Sequence, residues 1–151
     1  IGPGGRTLSQ SMIAILSSLI EGSSITITRG DSVSVSITGL GNLEDRTRLW
    51  FTVKARPSTD TDAQSKIQIT EDGGLLRLNG AAADDSADGA LTVDDEVDGD
   101  VTLTLTAAAA AQLGPTESWR WDIQVAQPGP GVWTPRAGVF GVREDVTRAT
   151  Q

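Results

Sequence analysis

The chain has 151 residues, the size of one ordinary domain, and can bury a core without help from a metal or a disulfide. Its 38% apolar and 21% charged residues suit a soluble globular protein, and a net charge of −8 sets it against nucleic acid and anionic membranes. It holds no cysteine, histidine or tyrosine. That removes disulfides, thiolate metal sites, cysteine nucleophiles and the imidazole behind most acid–base chemistry at neutral pH, so an enzyme is not expected.

Residues 1–6 are glycine-rich. Thr7 and Gln10 then fit a capping box, in which a hydroxyl and an amide satisfy free N–H groups at a helix start. Leu8, Met12, Ile15 and Leu19 recur at spacings of four, three and four, with Ile13, Leu16 and Ile20 as a second stripe. Gly22 stands where a helix would end. The spacing predicts a helix over residues 7–21, apolar on so wide an arc that something must cover it. The rest of the domain and a partner subunit are both candidates. On the second reading Leu8, Met12, Ile15, Leu16 and Leu19 are the partner-binding residues. The apolar run is too short and too broken to cross a membrane. The chain thus divides into an assembly segment, residues 1–22, and a β domain, residues 23–151.

From Ile25 the period changes to two. Ile25 and Ile27, then Val33, Val35 and Ile37, alternate with Ser and Thr around an Arg29-Gly30-Asp31 break. That triplet spells an adhesion motif, but a turn between two strands accounts for it. Arg48–Ala55, Lys66–Thr70, Leu75–Leu78, Val101–Leu105, Trp119–Val125 and Val132–Val142 follow as strands, with a short helical or turn segment at Ala107–Leu113. Residues 80–100 read as an acidic Ala/Gly-rich loop. Seven to eight short strands with frequent turns predict a mainly β protein, an immunoglobulin-like β-sandwich with an extra N-terminal helix.

Three groups of residues carry candidate chemistry. Counting from Asp84, the side chains of Asp84, Ser86, Asp88 and Asp95 fall at the ligand spacing of a twelve-residue calcium loop, with Gly89 at its sharp turn. Ser at the third place, Asp at the last and the lack of flanking helices depart from that pattern; a solvated acidic hairpin is the plain alternative. The carboxylates from Asp94 to Asp100 could pair for glycoside hydrolysis, but on a hydrophilic loop both partners stay ionised. Trp119 and Trp121 share a face with Ile123 and Val125 and belong to the core. Trp133 follows a Pro-Gly-Pro-Gly turn and is the candidate for stacking on a glycan.

The order of segments resembles a group of small phage and prophage proteins similar to the N-terminal domain of phage baseplate upper proteins. The segments are ITITRGDSVSVSI at Ile25–Ile37, WFTVK at Trp50–Lys54, AQSKIQIT at Ala63–Thr70, the VTLTLT-containing stretch at Asp98–Leu113, WRWDIQV at Trp119–Val125 and GVFGVREDVTR at Gly138–Arg148. The resemblance implies an immunoglobulin-like sandwich serving as a virion part in a tail, baseplate or capsid surface, with no catalytic residue to carry over. Burial of the apolar leading segment predicts a homo-oligomer or contacts with neighbouring virion proteins, and the net charge of −8 predicts no nucleic acid or membrane partner; no cofactor is expected. A glycan-binding or host-adhesion module, assisted by calcium, is the alternative. The chain departs from the group in the leading helix and the long 80–100 region.

Overall fold

Alternation of β-branched residues with Ser and Thr makes two strands at the start of the domain, each buried on one face. They are β2 (Ser24–Thr28) and β3 (Val33–Ile37), and Ile25, Ile27, Val33, Val35 and Ile37 are all buried. Gly30, at φ +86°, and a hydrogen bond from the Asp31 N–H to the Thr28 carbonyl (3.1 Å) turn the chain between them. The adhesion triplet is therefore this turn. The computed structural model describes residues 19–21, 24–129 and 131–144. Leu8, Met12, Ile15 and Leu16, with most of the segment expected to be helical, lie outside the described residues.

The remaining elements are β1 (Leu19–Glu21), β4 (Arg48–Lys54), β5 (Ile67–Thr70), β6 (Gly74–Leu78), β7 (Ala81–Ala82), β8 (Gly89–Asp95), β9 (Asp100–Leu105), α1 (Ala107–Ala110), β10 (Thr116–Ala126) and β11 (Val132–Arg143). Among the described residues they form an eight-stranded sheet, ordered β1-β2-β11-β10-β4-β5-β6-β7, and a three-stranded sheet, ordered β3-β9-β8. Consecutive β2 and β3 lie in different sheets, and β2 runs parallel to β11. A small sheet facing a larger one that is extended beyond β4 by β5 and β6 is the arrangement of an immunoglobulin-like sandwich of the variable type. The expected β-sandwich is thus present, though with more strands among the described residues than the seven to eight expected, because short pieces such as β1 and β7 extend the edges of the large sheet.

With no cysteine available, packing joins the sheets. On the inner face of the large sheet Phe51 is fully buried, its ring centroid 5.7 Å from that of Trp121 and 6.3 Å from that of Phe140 on the same sheet, and these rings meet the buried side chains of β3, β8 and β9 in one core. Burial of such rings dominates core energetics. Alternation puts Leu49, Phe51 and Val53 of β4 and Trp121, Ile123 and Val125 of β10 into this layer. The same alternation turns Trp50, Thr52, Lys54, Asp122 and Gln124 to the outward face of the large sheet.

Two expectations need correction. The predicted helix does not run to residue 21: Leu19–Glu21 is a strand, antiparallel to β2 with Leu19 opposite Thr26. An edge strand leaves a row of backbone N–H and C=O groups unpaired, and pairing with them outweighs the last turn of a helix. The 80–100 region is not one loop, because it contains β7 and β8. β8 pairs with β9, Leu91 opposite Leu103, and both side chains are buried. The short helical or turn segment expected after β9 is present as α1, capped by the Thr106 hydroxyl, which accepts from the Ala109 N–H at 3.3 Å.

Candidate functional site

The register of the central strands assembles a cleft on the outward face of the large sheet. Thr52 on β4 lies opposite both Asp122 on β10 and Gln68 on β5, and Trp50 lies opposite Gln124 and Thr70. On the far side of β10, Asp122 faces Ala137 of β11. The β4–β5 connection walls one end with Pro57 and Asp62, enclosing about 300 Å³. That connection is held by local bonds. The Asp60 carboxylate accepts from the Arg56 N–H at 2.9 Å, the Gln64 side-chain oxygen accepts from the Thr61 N–H at 2.8 Å, and Lys54 Nζ pairs with Asp62 at 2.9 Å.

The outward face of β4 and β5, of which Thr52 lines the cleft, is polar yet shielded. Thr52, Gln68 and Thr70 are 7%, 9% and 8% exposed although they point outward, and the Gln68 amide donates to the Thr52 hydroxyl at 3.5 Å. Trp50 is half-buried, with the Arg48 guanidinium 5.4 Å from its ring centroid. Asp122 is half-buried and, among the described residues, its carboxylate takes neither a hydrogen bond nor an ion pair. Burial pushes its carboxyl above the ordinary value; the Lys54 charge opposes this and the Asp62 charge adds to it.

This raised pKa gives a stability prediction with a definite sign. The folded state holds the Asp122 proton more tightly than the unfolded chain does. Stability from this group therefore falls as pH rises from the ordinary aspartate range through the raised folded pKa. Asp122→Asn removes the desolvated charge and is expected to raise the melting temperature modestly at pH 7. The gain should fade toward pH 3, where the wild-type carboxyl is protonated in both states. Thermal melts of both proteins across that range check it, and an equal gain at all pH values would contradict it.

The residues singled out from the sequence fall elsewhere. Trp133 is not an exposed platform. It lies opposite Val125, packs against the edge of the core and stands over Gly41, where an added Cβ would be 3.4 Å from its ring. Leu19 sits in the outermost strand of the large sheet, away from the cleft.

The calcium loop is also corrected. Residues 89–95 are extended in β8, which at about 3.3 Å per residue separates its ends by about 20 Å. Asp84, Ser86 and Asp88 therefore cannot share one ion with Asp95, since all ligands must lie within about 2.6 Å of it. Instead the Asp88 carboxylate accepts from the Thr106 hydroxyl at 3.2 Å. Asp95 gathers with Asp98 and Asp100, their carboxylate oxygens within 4.8 Å of one another. Ordinary backbone bonds account for two of them: Asp95 accepts from the Val97 and Asp98 N–H groups, and Asp100 from the Gly39 N–H.

No protein-family model matches this chain, and no curated protein matches it either. Solved structures of immunoglobulin-like domains are similar in shape. The NK cell receptor Nkp44 matches with a TM-score of 0.45 at 10% identity, over 83% of this chain and 100% of that one. Tim-2 matches with a TM-score of 0.41 at 15% identity, over 85% of this chain and 98% of that one. A chain of the ZIG-8–RIG-5 IG1–IG1 heterodimer matches with a TM-score of 0.38 at 9% identity, over 89% of this chain and 97% of that one. At these scores the likeness adds nothing to what the strand order establishes.

Proposed function

We propose that this chain is a structural component of a bacteriophage particle, without catalytic activity, which assembles by burying its apolar N-terminal segment against a copy of itself or a neighbouring virion protein. Two features support the reading. Within the described residues the segments that carry the family resemblance fall, in order, on β2–β3, β4, β5, β9–α1, β10 and β11, strands that frame the sandwich. The observation that carries the assembly role is β1. It brings the end of the apolar segment to the outermost position of the large sheet, and Leu8, Met12, Ile15 and Leu16 precede that edge closely in sequence. A sheet edge beside an apolar segment is a surface at which another chain can add strands and bury side chains together.

The test is the mass in solution of the full chain and of a chain lacking residues 1–18, which retains β1. The full chain is expected to be a homo-oligomer and the shortened one a folded monomer with the same β-sheet circular dichroism. A monomeric full chain, or a truncated chain that unfolds, would remove the assembly role.

A further inference from the structure

The outward cleft contains one charged group that makes no direct ion pair among the described residues and is only partly offset by the Lys54 charge. Lys54 and Asp62 satisfy each other, and Arg120 is solvent-exposed. Asp122 remains, half-buried and without a partner among the described residues. The fold does not call for a carboxylate there. An outward position in a central strand is served as well by Thr or Gln, as Thr52 and Gln124 beside it show. A group that costs the fold stability and sits in a cleft is placed for something outside the chain.

The neighbouring ring narrows what that is. Thr52 lies opposite Asp122, so Trp50, two residues along β4, is its diagonal neighbour at about 7–8 Å. The two side chains rise from the same face at neighbouring positions and both line the cleft, so one flat cation can meet a carboxylate and an indole together. We infer that the cleft receives an arginine side chain of a partner protein, its guanidinium paired with the Asp122 carboxylate and stacked on Trp50. Arginine fits better than lysine because its guanidinium is planar, stacks on aromatic rings and sheds water more readily. Arg48 already takes up this relation to the same ring at 5.4 Å. A volume of about 300 Å³ is at the small end for a ligand site and suits one anchoring side chain. A bare divalent cation is a poor occupant, since one free carboxylate supplies few of the oxygens it needs. The overall charge of −8 favours approach of a basic partner.

The cleft is separate from the N-terminal segment, and its test does not depend on assembly. The full chain, labelled with ¹⁵N, is titrated with acetyl-arginine N-methylamide and, in parallel, with the citrulline counterpart, which has nearly the same shape but no charge. Saturable shifts at millimolar concentration are expected at the Trp50 indole N–H and at the amides of Thr52 and Asp122, with arginine and not with citrulline. Asp122→Asn should weaken the arginine response about tenfold, because it removes a charge-assisted pair and keeps the shape. Its solution mass should equal that of the wild type, which separates this site from assembly. Equal shifts with citrulline, an unchanged response in Asp122→Asn, or no saturable shift would each overturn the inference.

Discussion

Arg46→Met is expected to destabilise the fold by about 2–3 kcal/mol, between the value of an exposed ion pair and the cost of breaking a buried one. Arg46 lies in the β3–β4 connection and reaches both sheets. Its Nε and Nη2 donate to the two Glu71 oxygens at 2.7 and 2.5 Å, beside the β5–β6 turn of the large sheet. Its Nη1 donates to Glu96 at 2.7 Å, in the β8–β9 turn of the small sheet, and to the Leu43 carbonyl at 2.9 Å. The hydrogen bond to Glu71 is the main cause holding the guanidinium pKa above its ordinary value, against the opposing effect of burial, so Arg46 stays charged at every working pH. The Arg46 and Glu71 side chains are 16% and 25% exposed, and that of Glu96 is 53% exposed. Glu71→Gln should therefore cost more than Glu96→Gln, and Arg46→Lys should recover only part of the loss because an ammonium cannot make the forked pair. Urea unfolding checks the series as a fall in midpoint at constant slope. A change within 0.5 kcal/mol, the ordinary range for surface positions, would mean that the clamp is ornamental and packing alone joins the sheets.

Much of the sandwich can be read in the sequence, because period two is a local signal. ITIT, VSVSI and VTLTL alternate so regularly that face and strand follow from neighbours alone, and the burial of Ile25, Val35 and Leu103 agrees. β8 escaped because only Gly89 and Leu91 of its seven residues are buried, and its acidic end resembles a loop. β1 escaped because the same apolar residues satisfy a helical spacing, and the edge it pairs with belongs to a later strand. Trp50 was hidden inside RLWFTVK, which reads as apolar on both faces; the structure places Phe51 inward and Trp50 outward. Trp133 misled in the opposite sense, since a bulge in the β10–β11 pairing between Ile123 and Val125 aligns it with the inward-facing Val125. The cleft has no local signature at all. It needs β4 and β10, 62 residues apart at their nearest ends, and a connection folded over them. Asp122 is only one polar residue of an alternating strand until that neighbourhood exists.

Gly99→Ala is expected to cost about 3 kcal/mol, a left-handed alanine contributing about 1–2 and forced displacement of packed backbone the rest. Gly99 closes the β8–β9 turn at φ +76°. A Cβ there would overlap the Gly41 carbonyl oxygen and stand 2.5 Å from the Gly41 nitrogen, which are backbone atoms and cannot rotate away. They are also tied to this turn: the Leu40 N–H donates to the Gly99 carbonyl at 3.0 Å and the Gly39 N–H to Asp100 at 3.1 Å. Gly129, at φ +86° with nothing within 4 Å of an added Cβ, separates the two contributions. Gly129→Ala should cost about 1 kcal/mol, the backbone strain alone. Similar losses at both positions in denaturant unfolding would mean that close approach at Gly99 contributes nothing. The turn that Gly99 closes also carries Glu96, so displacing it should loosen the Glu96 arm of the Arg46 clamp. Gly99→Ala combined with Arg46→Met should then destabilise by less than the sum of the two single changes. Full additivity would instead show that the turn moves without disturbing the ion pair, and that the two contacts between the sheets act independently.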